Sequence, residues 1–273
     1  MKKNIIAIIY DFDGTLSPQP MQEYTVFPQL HISPQTFWRQ VKIENTRIKG
    51  EEIITYMMLM LRKANEAGLR ISNLDLGNMA SSIKFFPGVE TYFNRINQFV
   101  ADESNNKVKI RHYILSSGLK EIINKTKIKG HFHKIFASEY SYNQYRAPQY
   151  PKLAVTDTVK TQFLFRINKG KENLTENINE FMSEEERPIP FSNIIYIGDG
   201  MTDVPCMTVT TRNNGYAIAV YKPHSTKGLA VCKKLFKNKR VDFIAPANYN
   251  DNSELDKFLQ SHYKNHNSRH NIL

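Results

Sequence analysis

Two aspartates separated by a single residue follow a short apolar run near the start of the chain. The run 5–10 is rich in β-branched residues, and Asp11, Phe12, Asp13 and Gly14 follow it directly. Such a run predicts a strand buried on both faces of a parallel sheet, and open α/β sheets bind their ligands beyond the carboxyl ends of the strands. Two neighbouring carboxylates repel each other unless a cation lies between them or one is protonated. The pair therefore predicts a site for a hard cation such as Mg²⁺, for acid–base chemistry, or for both.

The same Asp-x-Asp-Gly pattern also occurs in ordinary turns and in calcium-binding loops. A calcium loop requires further oxygen ligands immediately downstream, whereas residues 15–20 contain no carboxylate. This stretch alone does not distinguish a catalytic site from an ordinary turn.

Two further apolar stretches are followed by polar side chains in turns that contain glycine. The predicted strand 108–115 is followed by Ser116, and the predicted strand 194–197 is followed by Asp199 and then Asp203. Taken singly, the serine fits the cap of a following helix, and Asp203 fits the cap of a turn. Taken together with the first pair of aspartates, they predict one site at the edge of a sheet.

A lone basic residue lies between these two signals in the sequence. Lys160 falls in the first turn of a helix predicted at 158–167, and Lys152 and Lys169 are rival candidates. A solvated helix lysine is the alternative interpretation. We expect Lys160 to join the carboxylates.

The elements that position these residues alternate between strands and helices in the second part of the chain. We predict, in order, a helix from residue 89, strand 108–115, helix 119–127, strand 135–137, a loop or hairpin at 138–151, helix 158–167, an exposed polar stretch at 172–190, strands 194–197 and 216–220, a basic helix near 229–236, strand 241–245, helix 254–262 and a frayed tail at 264–273. This alternation predicts an α/β fold, a doubly wound (Rossmann-like) parallel sheet.

Residues 17–86 interrupt that alternation. Ser33 and Pro34 are typical of a helix start, and the apolar run 53–61 has acids before it and bases after it, as a helix dipole favours. A third helix is predicted near 74–83. With no alternating strand pattern, this region is interpreted as a helical insert after the first strand.

The bulk composition fits an ordinary globular protein. The 273 residues contain 41% hydrophobic and 23% charged side chains. No apolar run approaches a membrane span, and the short apolar N-terminus lacks a cleavage site for a signal peptide. The cysteines Cys206 and Cys232 show neither metal-ligand spacing nor a disulfide framework. A cytoplasmic protein without membrane contact is expected.

In motif order, the chain resembles the haloacid dehalogenase (HAD) superfamily. Asp11-Phe12-Asp13-Gly14-Thr15 matches the first motif and Gly198-Asp199-Gly200-Met201-Thr202-Asp203 matches the fourth, and both are specific. Ser116 and Lys160 match the second and third motifs, which are weak alone. The resemblance spans residues 5–203.

The resemblance implies a Mg²⁺-dependent phosphatase. Asp11 would be the nucleophile that forms an aspartyl-phosphate, and Asp13 would be the general acid and base. Mg²⁺ would bind the Asp11 carboxylate, the backbone carbonyl of Asp13, and Asp199. Dehalogenase members lack the acid at the position of Asp13. Phosphomutases keep both acids, so the resemblance does not exclude a phosphomutase.

The resemblance also implies how the phosphate is held. Ser116 and the backbone N–H groups around Ser117 and Gly118 would bind phosphate oxygens, and Lys160 would bring a positive charge to them. Asp203 would orient Lys160 or a metal-bound water.

The helical insert resembles the C1-type cap of the phosphoserine-phosphatase-like branch. The implied division is a core formed by residues 1–16 and 87–273, with a cap at 17–86 that closes over the site. That branch carries a substrate-reading Glu shortly after its first motif, and Glu23 lies farther along. Phosphoserine is therefore not implied as the substrate, and the oligomeric state stays open.

A phosphatase for a small phosphorylated substrate is the leading hypothesis. One alternative is a phosphatase for nucleotides or nucleic-acid ends, since the net charge is +11 and seven basic residues cluster near one helix, although a solvated helix face is the favoured interpretation of that cluster. Another is a protein of the same fold that binds a phosphate ligand without catalysis. The basic cluster comprises Lys222, Lys227, Lys233, Lys234, Lys237, Lys239 and Arg240.

Overall fold

The computed structural model describes residues 4–270, and it describes side chains up to residue 264. Within these residues the chain forms a seven-stranded sheet with the strand order β4-β3-β2-β1-β5-β6-β7. All neighbouring strands are parallel except β3 and β4. The strands are β1 (Ile5–Tyr10), β2 (Lys109–Leu119), β3 (Phe132–Tyr142), β4 (Pro148–Leu153), β5 (Ile194–Gly198), β6 (Tyr216–Tyr221) and β7 (Phe243–Pro246).

Helices connect these strands, and within residues 4–270 none is long and apolar enough to cross a membrane. They are α1 (Met21–Tyr24), α2 (Val26–Gln29), α3 (Pro34–Ile48), α4 (Glu52–Glu66), α5 (Asn73–Asn78), α6 (Val89–Glu103), α7 (Lys120–Ile123), α8 (Val159–Lys169), α9 (Val204–Arg212), α10 (Thr226–Lys237) and α11 (Glu254–His270).

The central strand β1 explains why helices pack on both faces of the sheet. Its side chains alternate between two hydrophobic cores: Ile6, Ile8 and Tyr10 join the core that includes α6 and α11, whereas Ala7 and Ile9 join the core that includes α8 and α9. Because successive strand residues point to opposite faces, an unbroken apolar run fits a strand covered on both sides. The predicted doubly wound α/β fold is confirmed.

The segment between β1 and α6 is helical. Ser33 accepts a hydrogen bond from the Thr36 amide at the start of α3, which satisfies one of the unpaired amides of the first turn. The two ends of the segment meet where the Phe86 amide donates to the Leu16 carbonyl at 2.9 Å. Its side chains join the same hydrophobic core as one face of the sheet. The division into core and cap stays a prediction.

The boundaries of β2, α7 and β3 differ from the prediction. Strand β2 continues through Leu119, because a register irregularity with β3 between Ser116 and Leu119 absorbs the glycine-containing turn. Helix α7 is accordingly one turn long and ends where the Thr126 hydroxyl donates to the Ile123 carbonyl. Strand β3 is longer than predicted because its second half leaves the parallel sheet and pairs with β4 as a hairpin.

The C-terminal helix also runs farther than predicted. Helix α11 continues to residue 270, where a frayed tail was expected from residue 264. The last part of that prediction, residues 271–273, lies outside the described residues.

A buried histidine is hydrogen-bonded between β1, β2 and α6. The ring nitrogens of His112 lie 3.0 Å from the Tyr10 hydroxyl and 3.0 Å from Asn97 Oδ1. Burial, with a smaller contribution from His131, lowers the pKa of His112 to about 3. The imidazole is therefore neutral in the folded protein at neutral pH.

We expect His112 to make the protein less stable in mild acid. Between pH 3 and 6.5 the unfolded chain binds a proton at this residue that the folded chain excludes, so the free energy of unfolding falls as the pH is lowered. From pH 7 to pH 5, His112 contributes a loss of roughly 2 kcal/mol. Urea unfolding of His112→Gln should show a correspondingly weaker pH dependence. The control His224→Gln, at an exposed site, should keep the wild-type dependence. Equal slopes for wild type and His112→Gln would contradict the assignment.

Candidate active site

The ends of three adjacent strands bring the predicted site residues to one edge of the sheet. Asp11 follows β1, Asp199 follows β5, and Ser116 lies near the end of β2, which flanks β1 on the other side. The Asp11 amide donates to the Ile197 carbonyl at 2.9 Å and holds this aspartate against β5. Because β1 pairs with β2 on one side and with β5 on the other, its carboxyl end lies at the crevice where an open α/β sheet binds ligands.

Three carboxylates converge at this crevice. Asp11, Asp199 and Asp203 each place one oxygen within 4.8 Å of the other two. Gly14, with φ of 82°, allows this approach, because a Cβ at that position would overlap the Asp199 carboxylate. The glycine of the first motif is thus a steric requirement for the carboxylate of the fourth.

Lys160 is the cation of the cluster. Its Nζ lies 2.9 Å from Asp11 Oδ1 and 2.7 Å from Asp203 Oδ1, and its side chain is 1% exposed. Burial disfavours the ammonium, but the two carboxylates outweigh that effect and hold the pKa of Lys160 above its usual value. The rival Lys152 pairs with the half-buried Glu139 away from the cluster, and the rival Lys169 donates to loop carbonyls.

Asp203 is fully buried and holds its neighbours in place. Besides Lys160, its Oδ1 accepts the Tyr196 hydroxyl at 2.7 Å, and its Oδ2 accepts the Asp199 amide at 3.2 Å. Both oxygens are therefore engaged within the protein. A Cβ on Gly198 would overlap this carboxylate. Tyr196 was missed at the sequence level, because nothing distinguishes it from any other aromatic residue of a buried strand.

Asp13 turns to the opposite side of the crevice. Its Oδ1 accepts the Met21 amide at 2.9 Å. A Cβ on Gly118 would lie 3.1 Å from the other oxygen, Oδ2, which therefore faces the end of β2. The sulfur of Met21 accepts the Leu119 amide at 3.1 Å. Met21, which the sequence did not single out, thus joins the helical segment to both motifs.

The residues expected to hold phosphate lie at the end of β2. The Ser116 hydroxyl accepts the Gly118 amide at 3.0 Å. The Ser117 hydroxyl donates to the Val155 carbonyl at 2.7 Å, and the Ser117 carbonyl accepts the Tyr56 hydroxyl of α4 at 2.9 Å. Protein partners therefore already hold the Ser117 hydroxyl and the Gly118 amide.

Glu23 lies on α1. It accepts the Trp38 indole N–H at 3.3 Å. This contact joins α1 to α3.

The carboxylates of the cluster are hard to ionise together. Burial and the neighbouring Asp203 raise the pKa of Asp11 to about 7, even though Lys160 opposes the shift. Burial, together with the charges of Asp11 and Asp199, raises the pKa of Asp13. Burial, Asp203 and Asp11 likewise raise the pKa of Asp199. One lysine does not offset this concentration of negative charge.

The donor set fits a hard divalent cation. Asp11 and Asp199 offer carboxylate oxygens at the crevice, and Asp199 accepts no hydrogen bond from another described residue. Oxygen donors with net negative charge are the ligands that Mg²⁺ prefers. A cation at this place would also remove the repulsion that raises these pKa values. With the backbone carbonyl of Asp13, these are the groups expected to hold Mg²⁺.

We expect Mg²⁺ to stabilise the protein through Asp199. At a hundredfold excess over its dissociation constant, Mg²⁺ should raise the free energy of unfolding by about 2.7 kcal/mol. Asp199→Asn should abolish this gain without lowering stability in the absence of metal, because the substitution removes one of the crowded charges. Thermal unfolding with Mg²⁺ and with a chelator measures both effects. Asp102→Asn, at an exposed site, is the control that should respond like wild type. A full Mg²⁺ response of Asp199→Asn would contradict the assignment.

Comparison with known proteins gives a family and a fold. The family model for haloacid dehalogenase-like hydrolases matches residues 8–208. An uncharacterised protein of Borreliella burgdorferi is 32% identical over 283 aligned positions, which cover 94% of this chain and 96% of that protein.

The solved structures with similar folds include phosphoserine phosphatases. A phosphoserine phosphatase solved as a phospho-aspartyl intermediate analogue has a TM-score of 0.57 and 14% identity, covering 94% of this chain and 99% of its own. A HAD family hydrolase from Salmonella enterica serovar Typhi has a TM-score of 0.57 and 16% identity, covering 94% of this chain and 70% of its own. At these identities the likeness shows the fold, and the expected likeness to the phosphoserine-phosphatase-like branch is confirmed at that level.

Proposed function

The chain belongs to the haloacid dehalogenase-like hydrolase family, and from this premise we propose that it hydrolyses phosphate monoesters through a phosphorylated Asp11. The observation that carries the proposal is the convergence of Asp11, Asp199 and Asp203 around the buried ammonium of Lys160. A binding protein has no need of a second acid that faces the other side of the crevice, yet Asp13 is present there.

Asp11 is the nucleophile in this proposal. Its carboxylate oxygen forms a bond to phosphorus while the bond between phosphorus and the ester oxygen breaks. Lys160, already 2.9 Å from Asp11, brings positive charge beside the attacked group. The bound Mg²⁺ would supply further positive charge, which offsets the repulsion between the anionic substrate and Asp11.

Asp13 moves the protons. Its raised pKa favours the protonated acid, which gives its proton to the departing ester oxygen. The resulting carboxylate then takes a proton from the water that attacks the aspartyl-phosphate. Phosphate is released, Asp11 is regenerated, and Asp13 is protonated again, so atoms and charge balance over the cycle. The Met21 amide, which donates to Asp13 Oδ1, keeps the other oxygen directed at the leaving group.

The helical segment serves as the cover of the site. We propose the division into a core of residues 1–16 and 87–273 and a C1-type cap of residues 17–86. Two hydrogen bonds between α4 and the sheet support it: Tyr56 donates to the Ser117 carbonyl, and Tyr140 donates to the Met57 carbonyl at 2.8 Å. A cover held this close to Ser116 shields the β2 side of the crevice from water.

Hydrolysis of nucleotides or nucleic-acid ends is the second candidate. Lys233, Lys234 and Lys237 on α10 are exposed, and none of them forms an ion pair with another described residue. Binding to nucleic acid that falls steeply with ionic strength would favour this candidate. A phosphate-binding protein without catalysis would instead bind phosphate esters and leave them intact.

We expect Asp11→Asn to abolish turnover of p-nitrophenyl phosphate in the presence of Mg²⁺. Removing a nucleophile should lower kcat by at least about 10³-fold, as measured by release of p-nitrophenol. Asp102→Asn, whose side chain is exposed, should retain wild-type activity. An Asp11→Asn variant as active as the wild type would show that another residue attacks.

We expect Asp13→Asn to slow the reaction by about 10²–10⁴-fold, because it can neither donate the proton nor activate water. With an aryl phosphate, whose leaving group departs without assistance, the variant should accumulate phosphorylated protein. Acid quenching and mass spectrometry would detect one added phosphoryl group, and Asp11→Asn introduced into the same variant should remove it. Turnover at the wild-type rate would refute the role of Asp13.

A further inference from the structure

A pocket of about 320 Å³ opens beside the catalytic carboxylates, on the side of β6 and α10. Asp199, Gly14 and Met201 line it, and so do Lys222 and Lys227. We refer to it as the lysine pocket. Because Asp199 lies both in this lining and in the cluster with Asp11, the pocket is continuous with the proposed site of phosphoryl transfer.

The two lysines of the pocket have no protein partner for their charge. Both side chains are exposed, and neither forms an ion pair with a carboxylate of the described residues. The cation that lies against Asp11 is Lys160, which is buried elsewhere in the site. Lys222 and Lys227 are therefore available to an anion that enters the pocket.

The backbone around these lysines adds to the positive potential. Lys227 lies in the first turn of α10, and that turn contains no acid. The positive end of the helix dipole lies at the N-terminus, so the Lys227 ammonium and the start of the helix contribute positive potential at the same place. Ser225 caps the Gly228 amide, while the amides of Thr226 and Lys227 donate to no acceptor within the described residues. The lysine pocket thus combines two ammonium groups with unused backbone donors.

We propose that the lysine pocket binds a second phosphate of the substrate, so that the preferred substrates are small bisphosphorylated compounds. This rests on the proposed phosphatase activity, in which the first phosphate lies at Asp11. A phosphate ester carries up to two negative charges on three free oxygens, so it balances two ammonium groups and several N–H donors more fully than a carboxylate, with one charge on two oxygens. A nucleic-acid strand would instead use Lys233, Lys234 and Lys237, which do not line the pocket.

Paired substrates test the proposal. Phosphate release with Mg²⁺ is compared for fructose 1,6-bisphosphate and fructose 1-phosphate, and for adenosine 3′,5′-bisphosphate and adenosine 3′-phosphate. 3-Phosphoglycerate provides a substrate whose second group is a carboxylate. For at least one pair, kcat/KM should be tenfold or more higher for the bisphosphate. The variant K222Q/K227Q should lose this preference through a higher KM, with kcat for p-nitrophenyl phosphate unchanged. The control K233Q/K237Q, on the same helix but outside the pocket, should keep it.

Three results would overturn the proposal. The preference for the bisphosphate could survive in K222Q/K227Q, or it could be lost in K233Q/K237Q instead. The third is a kcat/KM for 3-phosphoglycerate as high as that for the bisphosphates. Absence of any preference for a second phosphate would do the same.

Calorimetric titration of the Asp11→Asn variant with fructose 1,6-bisphosphate separates this inference from the catalytic proposal. Binding that weakens tenfold or more when K222Q/K227Q is added supports the lysine pocket, even if p-nitrophenyl phosphate is never hydrolysed. Undetectable binding, or binding that ignores the two lysines, rejects it. Failure of aryl phosphate hydrolysis alone rejects only the proposed phosphatase activity.

Discussion

The candidate site depends on an excess of negative charge held out of water around one ammonium group. Asp11, Asp199 and Asp203 crowd one another within 4.8 Å, and Lys160 offsets only part of their repulsion. Such a cluster is costly to fold, and the protein meets that cost with specific donors: the Tyr196 hydroxyl and the Asp199 amide both bind Asp203. The negative charge that remains uncompensated lies on Asp11 and Asp199, on the side of the cluster that opens to ligands. The repulsion is therefore directed to the place where a cation and a phosphate ester would relieve it.

The sequence predicted this cluster because its residues follow buried strands. An apolar run such as 5–10, bounded by turn residues, favours a covered strand, and the side chain after such a strand emerges at the sheet edge. Lys160 was a weaker prediction, since its helix position alone did not exclude Lys152 or Lys169. The ion pairs with Asp11 and Asp203 bring it into the cluster, and these depend on how α8 packs against one face of the sheet, which no local pattern records.

Other parts of the molecule could not be read from local patterns. The extension of β2 to Leu119 depends on pairing with β3, which is a tertiary contact. The roles of Met21 and Tyr196 also arise only when distant segments meet, because an amide, a thioether or a phenol carries no signature in the sequence. The starts of α3 and α6 were predictable, in contrast, because capping and glycine signals act within a few residues.

The hydrogen bond between Phe86 and Leu16 means that the chain leaves the sheet and returns to it at nearly the same point. The entropic cost of bringing the two ends of such a segment together grows only slowly with the length of the segment. Such a segment can be lengthened, shortened or replaced during evolution without disturbing the strand order beneath it. The sheet edge that carries the carboxylates and the helical segment between β1 and α6 can thus diverge at different rates.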